Sequence, residues 1–151
     1  MKNLLTLTIL PAFAALLSLA MPSIAANDDE KTYKKFGEYN IFYSAFNSTF
    51  IDPDIAVANK IVRGKDKGLV NIAVVVGSGS GKPAAISGSV SNIFQMAQAL
   101  KFVEVREQNA VYYLAPFEFE HEDFLTFKIS VRPDPDKPAY ELKFQKKMYH
   151  D

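Results

Sequence analysis

Glu118, Glu120, His121, Glu122 and Asp123 form the densest run of ionisable side chains in the chain. Carboxylates around an imidazole can ligate a divalent metal, or act as a general acid and base. The spacing argues against convergence. In an extended segment Glu118 and Glu120 share one face while His121 points to the other. The run also falls where two strands must be joined by a polar loop. A solvated loop is the reading, and the alternative is a hydrolase or metal-assisted enzyme working at Glu118 to Asp123.

Three other constellations could carry chemistry. Gly77-Ser78-Gly79-Ser80-Gly81-Lys82 resembles a phosphate-binding loop in composition only. The first motif glycine would fall on Val76, and Pro83 stands where a hydroxyl residue would bind magnesium. A mobile hairpin loop is expected instead. Ser44, Ser48, Thr49 and His150 include a nucleophile and a base, but Gly-x-Ser-x-Gly is absent and His150 is penultimate, where chains fray. Asn47-Ser48-Thr49 is formally a glycosylation sequon, read here as strand-end and turn chemistry. No catalytic residue is assigned.

Binding fits the remaining polar residues better than catalysis does, with solubility of an exposed sheet as their plain alternative. Lys128, Arg132, Lys143 and Lys147 should all face outward on the last two strands, as a basic stripe toward an anionic partner or as solubilising edge charge. Together with Asn47, Ser48 and Thr49 they are the candidate binding residues. A third hypothesis has the loops Phe46–Phe50 and Gly77–Lys82 reach into a partner. Tyr112, Tyr113, Phe117 and Phe119 exceed what one sheet face needs. Core packing is their main expected use, with a groove as the alternative.

The elements that must position these residues are mostly strands. Tyr39, Ile41, Tyr43 and Ala45 alternate with Glu38, Asn40 and Ser44, and Phe42 and Phe46 on the second face suggest that it is partly covered too. Asp52 then caps a short helix with Pro53 at its first position, Ile55, Ala58 and Val62 on one face, and Gly64 as the left-handed stop. Leu69–Val76 is apolar throughout except Asn71, the pattern of a central strand buried on both faces. Ala84–Ser91 returns as a strand, and Ile93, Met96, Ala97 and Leu100 match a turn or two of helix. Phe102–Arg106 and Val111–Phe117 form a hairpin about Glu107-Gln108-Asn109, with Pro116 at an edge or strand end. Leu125–Arg132 and Tyr140–Gln145 alternate most cleanly of all. The result is an all-β, immunoglobulin-like antiparallel β-sandwich of about seven strands with one or two short helices.

The N-terminus reads as an export address. Lys2 precedes an apolar run from Leu4 to Ala20, and Ser23-Ile24-Ala25 supplies the small residues of a cleavage site. The run covers about seventeen residues, roughly 25 Å as a helix, which is short for a bilayer core of about 30 Å. Pro11 interrupts it. The predicted organisation is a signal peptide over 1–25 cut after Ala25, a flexible leader over 26–35 and one domain over 36–151, delivered to the periplasm without an integral membrane span. With no cysteine there is neither lipoprotein anchor nor disulfide. Two histidines leave thiolate zinc and multi-histidine centres without ligands, so no cofactor is expected. Seventeen basic against seventeen acidic residues disfavour a nucleic-acid partner, which normally meets a basic surface.

The string Tyr43-Ser44-Ala45-Phe46-Asn47-Ser48-Thr49-Phe50 resembles the YxAFNSTF signature of a domain-of-unknown-function family of small exported bacterial proteins. The similarity continues through Arg63, Gly68-Leu69-Val70-Asn71-Ile72, Val105-Arg106-Glu107 and Ala110-Val111-Tyr112-Tyr113. The resemblance implies a single periplasmic β domain and carries no activity with it. The expected function is a non-catalytic binding or accessory domain engaging an envelope protein or an anionic envelope component.

Overall fold

The computed structural model describes residues 32–151. The expected export signal and most of the expected leader, residues 1–31, lie outside them. Strand alternation builds two layers: β1 Tyr33–Phe36, β2 Tyr39–Asn47, β3 Lys67–Val76, β6 Val103–Glu107 and β7 Ala110–Glu118 make a five-stranded sheet in the order β1-β2-β3-β7-β6. In the second sheet β4 Ala85–Ser91, β5 Ala97–Leu100, β8 Asp123–Arg132 and β9 Tyr140–Met148 are ordered β5-β4-β8-β9. Every pairing is antiparallel. The all-β sandwich is therefore borne out.

The inner faces supply one core. Ile41, Val70, Ile72 and Val74 from the first sheet and Val90, Phe127, Ile129 and Val131 from the second are all fully buried in it. Aromatic pairs fasten the layers: Phe36 and Tyr39 against Tyr140, Tyr43 against Phe144 at 4.6 Å, and Phe117 edge-on to Phe127 at 5.2 Å. Such pairs contribute about 0.5–1.5 kcal/mol each beyond area burial. No disulfide is needed to hold the layers.

Among the described residues nine strands replace the expected seven or so, and the two additions have different reasons. Tyr33, Lys34 and Lys35 fall within the expected leader over 26–35, but with Phe36 they pair residue by residue with β2 through a turn at Gly37 (φ 58°). Its exposed Tyr33, Lys34 and Lys35 carry no alternation, because an edge strand open on both faces needs none. Ala97–Leu100 is a strand where helical spacing suggested a helix. Asn92 overrides that spacing: its Oδ1 accepts from Phe94 N and Met96 N at 3.1 Å each, and Gln95 takes φ 60°. This Asx-type turn leaves Ile93, Phe94 and Met96 in solvent.

The helix α1 Pro53–Ala58 begins as expected, with Asp52 Oδ1 accepting from Asp54 N at 2.9 Å. It stops before Gly64. Lys60 takes the left-handed position (φ 55°), Ile61 N donates to Ala56 O at 2.8 Å and Lys60 N to Val57 O at 3.2 Å, the double bond of a Schellman cap. The buried helix residue is Ala56, while Ile55 and Val62 are exposed. A six-residue helix has too few turns to present the expected stripe.

The glycine loop is not a hairpin, since β3 and β4 belong to different sheets. It wedges between β3 and the β6–β7 turn, with Lys82 N bonded to Val74 O at 2.7 Å and Gly81 N to Asn109 O at 3.0 Å. Only glycine fits there: a Cβ on Gly81 would lie 2.6 Å from Val111 N. The β6–β7 hairpin is as expected, turning at Gln108 (φ 50°). Pro116 pairs with Leu69 of β3, and β6 has already ended on its other side. The missing donor therefore breaks no ladder.

Candidate functional site

Asn47, Ser48 and Thr49 are brought together, but by internal bonds. Asn47 is buried at the end of β2, and its Nδ2 donates to Tyr149 O at 2.8 Å and to Asp151 Oδ1 at 2.6 Å. Thr49 Oγ1 donates to Asp151 Oδ2, and Arg63 Nη2 donates to Thr49 O at 2.9 Å. Ser48, fully buried, accepts from Gly64 N at 3.0 Å. These residues fasten the segment Tyr149–Asp151 and the α1–β3 connection to the sandwich. Their polar groups are spent on the fold.

The same segment engages the acidic cluster. His150 N donates to His121 Nδ1 at 3.1 Å, and the two rings stand 5.4 Å apart between Phe119 and Tyr149. The penultimate residue is thus packed rather than frayed. Glu118 pairs with Lys67, raising the lysine's pKa chiefly through that hydrogen bond, and Asp123 Oδ2 accepts from Glu120 N at 3.4 Å. Glu122 reaches Lys147 at 4.0 Å. Among the described residues no three His, Cys, Asp or Glu side chains converge closely enough to hold a metal ion.

The four cations do share one face. On the outer side of the second sheet Lys128 is the register partner of Lys143, with Ser89 of β4 on its other flank. Arg132 lies four residues along β8 and Lys147 four along β9 in the opposite direction, steps of about 13 Å at strand rise. All four are exposed. Lys147 has Glu122; among the described residues Lys128, Arg132 and Lys143 have no carboxylate within salt-bridge distance. Ser87, Ser89 and Ser91 leave the ground beside the stripe low.

A second feature lies on the outer side of the first sheet, an open concavity of about 1360 Å³. Its floor is Ala73 and Asn71 of β3. Phe42 and Ser44 of β2 rise on one side and Tyr112 of β7 on the other, and the Ser78–Gly81 loop and the Glu107–Asn109 turn close one end. Asn71 Oδ1 is buried with no hydrogen-bond partner among the described residues, a condition that costs about 1–3 kcal/mol. Tyr113, Phe117 and Phe119 are in the core as expected, and only Tyr112 of that set lines the concavity. This site was missed in the sequence. The available signal was Asn71, one amide within an otherwise apolar strand.

Polar bonding also locks the β6 edge. Tyr113 hydroxyl accepts from Ala84 N and donates to Glu104 Oε2, both at 2.9 Å, and Glu104 also pairs with Arg106. The Arg106 bond first, and the tyrosine second, hold the Glu104 carboxyl below its usual range. Burial raises the Tyr113 phenol.

Known structures share this architecture. A domain-of-unknown-function DUF4426 protein from Pseudomonas aeruginosa PAO1 is 32% identical, with a TM-score of 0.71 over 79% of this chain and 94% of that one. A copper-bound variant of FetP from uropathogenic Escherichia coli strain F11 is 10% identical, with a TM-score of 0.57 over 78% of this chain and 94% of that one. FetP as isolated after expression in the periplasm gives 11% and 0.55, over 78% and 93%. At such identity the FetP likeness is one of fold. None of the curated proteins matches the chain. Residues 33–151 match the model of DUF4426, a domain of unknown function, and the chain belongs to that family.

Proposed function

We propose that this chain is a non-catalytic binding domain of the bacterial periplasm that engages an extended anionic partner through the outer face of β4, β8 and β9. The observation that carries the reading is the Lys128–Lys143 pair. Like charges directly opposite across an antiparallel ladder are destabilising, and among the described residues neither lysine has a carboxylate within salt-bridge distance, the acid on the same face being Glu141, opposite Ser130 and two residues along β9. An anion seated between them turns that repulsion into two attractions. Arg132 and Lys147 extend the positive field along about 27 Å of the sheet, which suits repeated charge on a polymer or protein surface better than one small ion. The N-terminal segment that reads as an export signal supports the periplasmic setting. Copper binding belongs to FetP; here the two histidines pack on each other and on aromatic rings, and copper plays no part in the proposal.

Crosslinking in intact cells, followed by identification of what the protein captures, tests the reading. Lys128→Glu, Lys143→Glu and Lys147→Glu combined should abolish capture while the circular dichroism spectrum stays that of the parent. Capture in the parent should also weaken as salt is raised, because exposed charges are screened over about 8 Å at physiological ionic strength. Equal capture by parent and reversed variant would remove this face from the function.

A further inference from the structure

The concavity on the outer side of the five-stranded sheet has a chemistry unlike that of the basic face, and it points to a second ligand class. Among the described residues no lysine, arginine or histidine lines it, and Glu107 at its rim is its one charged side chain. The remaining polar groups are amides and hydroxyls, led by Ser44, Asn71 and the serines of the Ser78–Gly81 loop. Two aromatic residues flank the floor, and the strand register sets the spacing of their backbones. Phe42 is the register partner of Ala73 on β3, and Tyr112 comes one residue past the last β3–β7 pair, Ile72 with Tyr113. They are therefore separated by two strand spacings, about 10 Å. Phe42 is 38% exposed, and Tyr33 braces it from behind at 5.1 Å between ring centroids.

We propose that this concavity binds an uncharged saccharide. A sugar ring offers an apolar C–H face that stacks on an aromatic ring, and hydroxyls around its edge that both donate and accept. Its size suits a gap of that width, and its donors answer the unpaired Asn71 Oδ1, which a turn about the soft χ2 torsion brings to the ligand. The lining disfavours an anion, which would meet Glu107 and no cation among the described residues, and it offers a cation a counter-charge at the rim only, away from the Asn71–Ala73 floor. A peptide fits less well. Peptide strands add at sheet edges through main-chain bonds, whereas β2, β3 and β7 are all interior strands with partners on both sides. This face can offer a ligand side chains only. The loop closing one end is held by Gly81 N to Asn109 O and Lys82 N to Val74 O, so the cavity is formed before any ligand arrives.

Nuclear magnetic resonance of the isotopically labelled protein, titrated with neutral hexasaccharides of glucose and of N-acetylglucosamine, tests the proposal. The backbone amides of Ser44, Asn71, Ala73 and Tyr112 should shift together and saturate. Phe42→Ala and Tyr112→Ala should each weaken the interaction about tenfold. Lys143→Glu, on the other sheet, should leave it unchanged. The shift map of the parent stands on its own if a variant folds poorly. Absence of shifts with both sugars up to about 10 mM, a concentration that reports even very weak binding, overturns the proposal. So do shifts confined to residues outside the concavity. A neutral peptide that moves these amides when the sugars do not overturns it as well.

Discussion

Gly68→Ala isolates a packing constraint that holds the five-stranded sheet to the core. Gly68 is buried in β3 opposite Phe117 of β7, and the phenyl ring lies over it. A Cβ at position 68 would stand 2.5 Å from Cε2 and 2.9 Å from Cε1 of Phe117, and closer still to Cζ. Ordinary contact begins at 3.4 Å, so the ring must withdraw by an ångström or so. It has nowhere to go. Phe127, fully buried, meets it edge-on at 5.2 Å, and Phe119 stands at 6.0 Å. Overpacking of this kind costs about 1–3 kcal/mol, and expelling the ring would cost about 1.5–3 kcal/mol in lost burial. Against this, alanine restricts the unfolded chain and returns about 0.4–1 kcal/mol. The expected net loss is about 1–2 kcal/mol in equilibrium urea unfolding followed by circular dichroism. In a Phe117→Leu background the alanine should cost little or nothing, giving a coupling energy of about 1 kcal/mol or more. A Gly68→Ala protein within about 0.5 kcal/mol of the parent, or an equal penalty in both backgrounds, would refute the steric account.

Asn47→Ala removes two donors to the Tyr149–Asp151 segment. It should cost about 1–3 kcal/mol and speed hydrogen exchange at the His150 amide, whereas unchanged exchange would mean the segment is held without it. Lys143→Glu converts a like-charge cross-strand pair into an attractive one. It should raise stability by about 0.2–1 kcal/mol, less at high salt, while removing partner capture; a loss of stability would argue against repulsion at this pair. Glu104 has a folded pKa below its ordinary value, held there first by Arg106 and then by Tyr113. Its stabilisation is therefore complete above the unfolded carboxyl pKa, about 4.3, and is lost as pH falls through the folded value. E104Q lacks that contribution, so its urea midpoint should trail the parent's at neutral pH and begin to converge with it only as pH falls below about 4.3, meeting it below the folded value. A gap that persists into acid would refute the coupling.

Alternating strands were legible because the inner layer dictates them. Leu125–Arg132 and Tyr140–Gln145 show the pattern because each has one face on the core and one in water. Lys128, Arg132, Lys143 and Lys147 followed directly from that alternation, and the shared basic face is its consequence. Elements governed by local hydrogen bonding were illegible. Asn92 turns a helical spacing into a bend, and Lys60 takes the left-handed stop that Gly64 suggested. Both outcomes depend on single side-chain or backbone bonds that periodicity does not encode. The concavity was hidden for another reason. Phe42, Asn71 and Tyr112 are separated by whole strands in sequence, and the β2–β3–β7 order alone makes them neighbours.

The two outer faces answer different physical demands. A sandwich that buries one face of each sheet is expected to present polar residues on the other. The second sheet largely obeys: Ser87, Ser89, Thr126, Lys128, Ser130, Glu141, Lys143 and Gln145 face outward, and Phe124 at one end of β8 is the large apolar exception. The first sheet departs from the rule. Leu69 is shielded beside the Asn59–Val62 segment, but beyond it Val75, Phe42 and Tyr112, around the small buried Ala73, form an outer surface that no element among the described residues covers. Leaving apolar area and an unpaired amide in an open concavity lowers stability with no return to the fold. Departures of local composition from what the fold needs concentrate where a protein binds something. The cation stripe could be exchanged for other polar residues without harm to the core. Among the described residues the Phe42–Asn71–Tyr112 face departs from what packing and solubility need in its apolar area and its unpaired amide oxygen, as the Lys128–Lys143 pair departs in its charge. It is therefore a second place where a specific ligand should be sought.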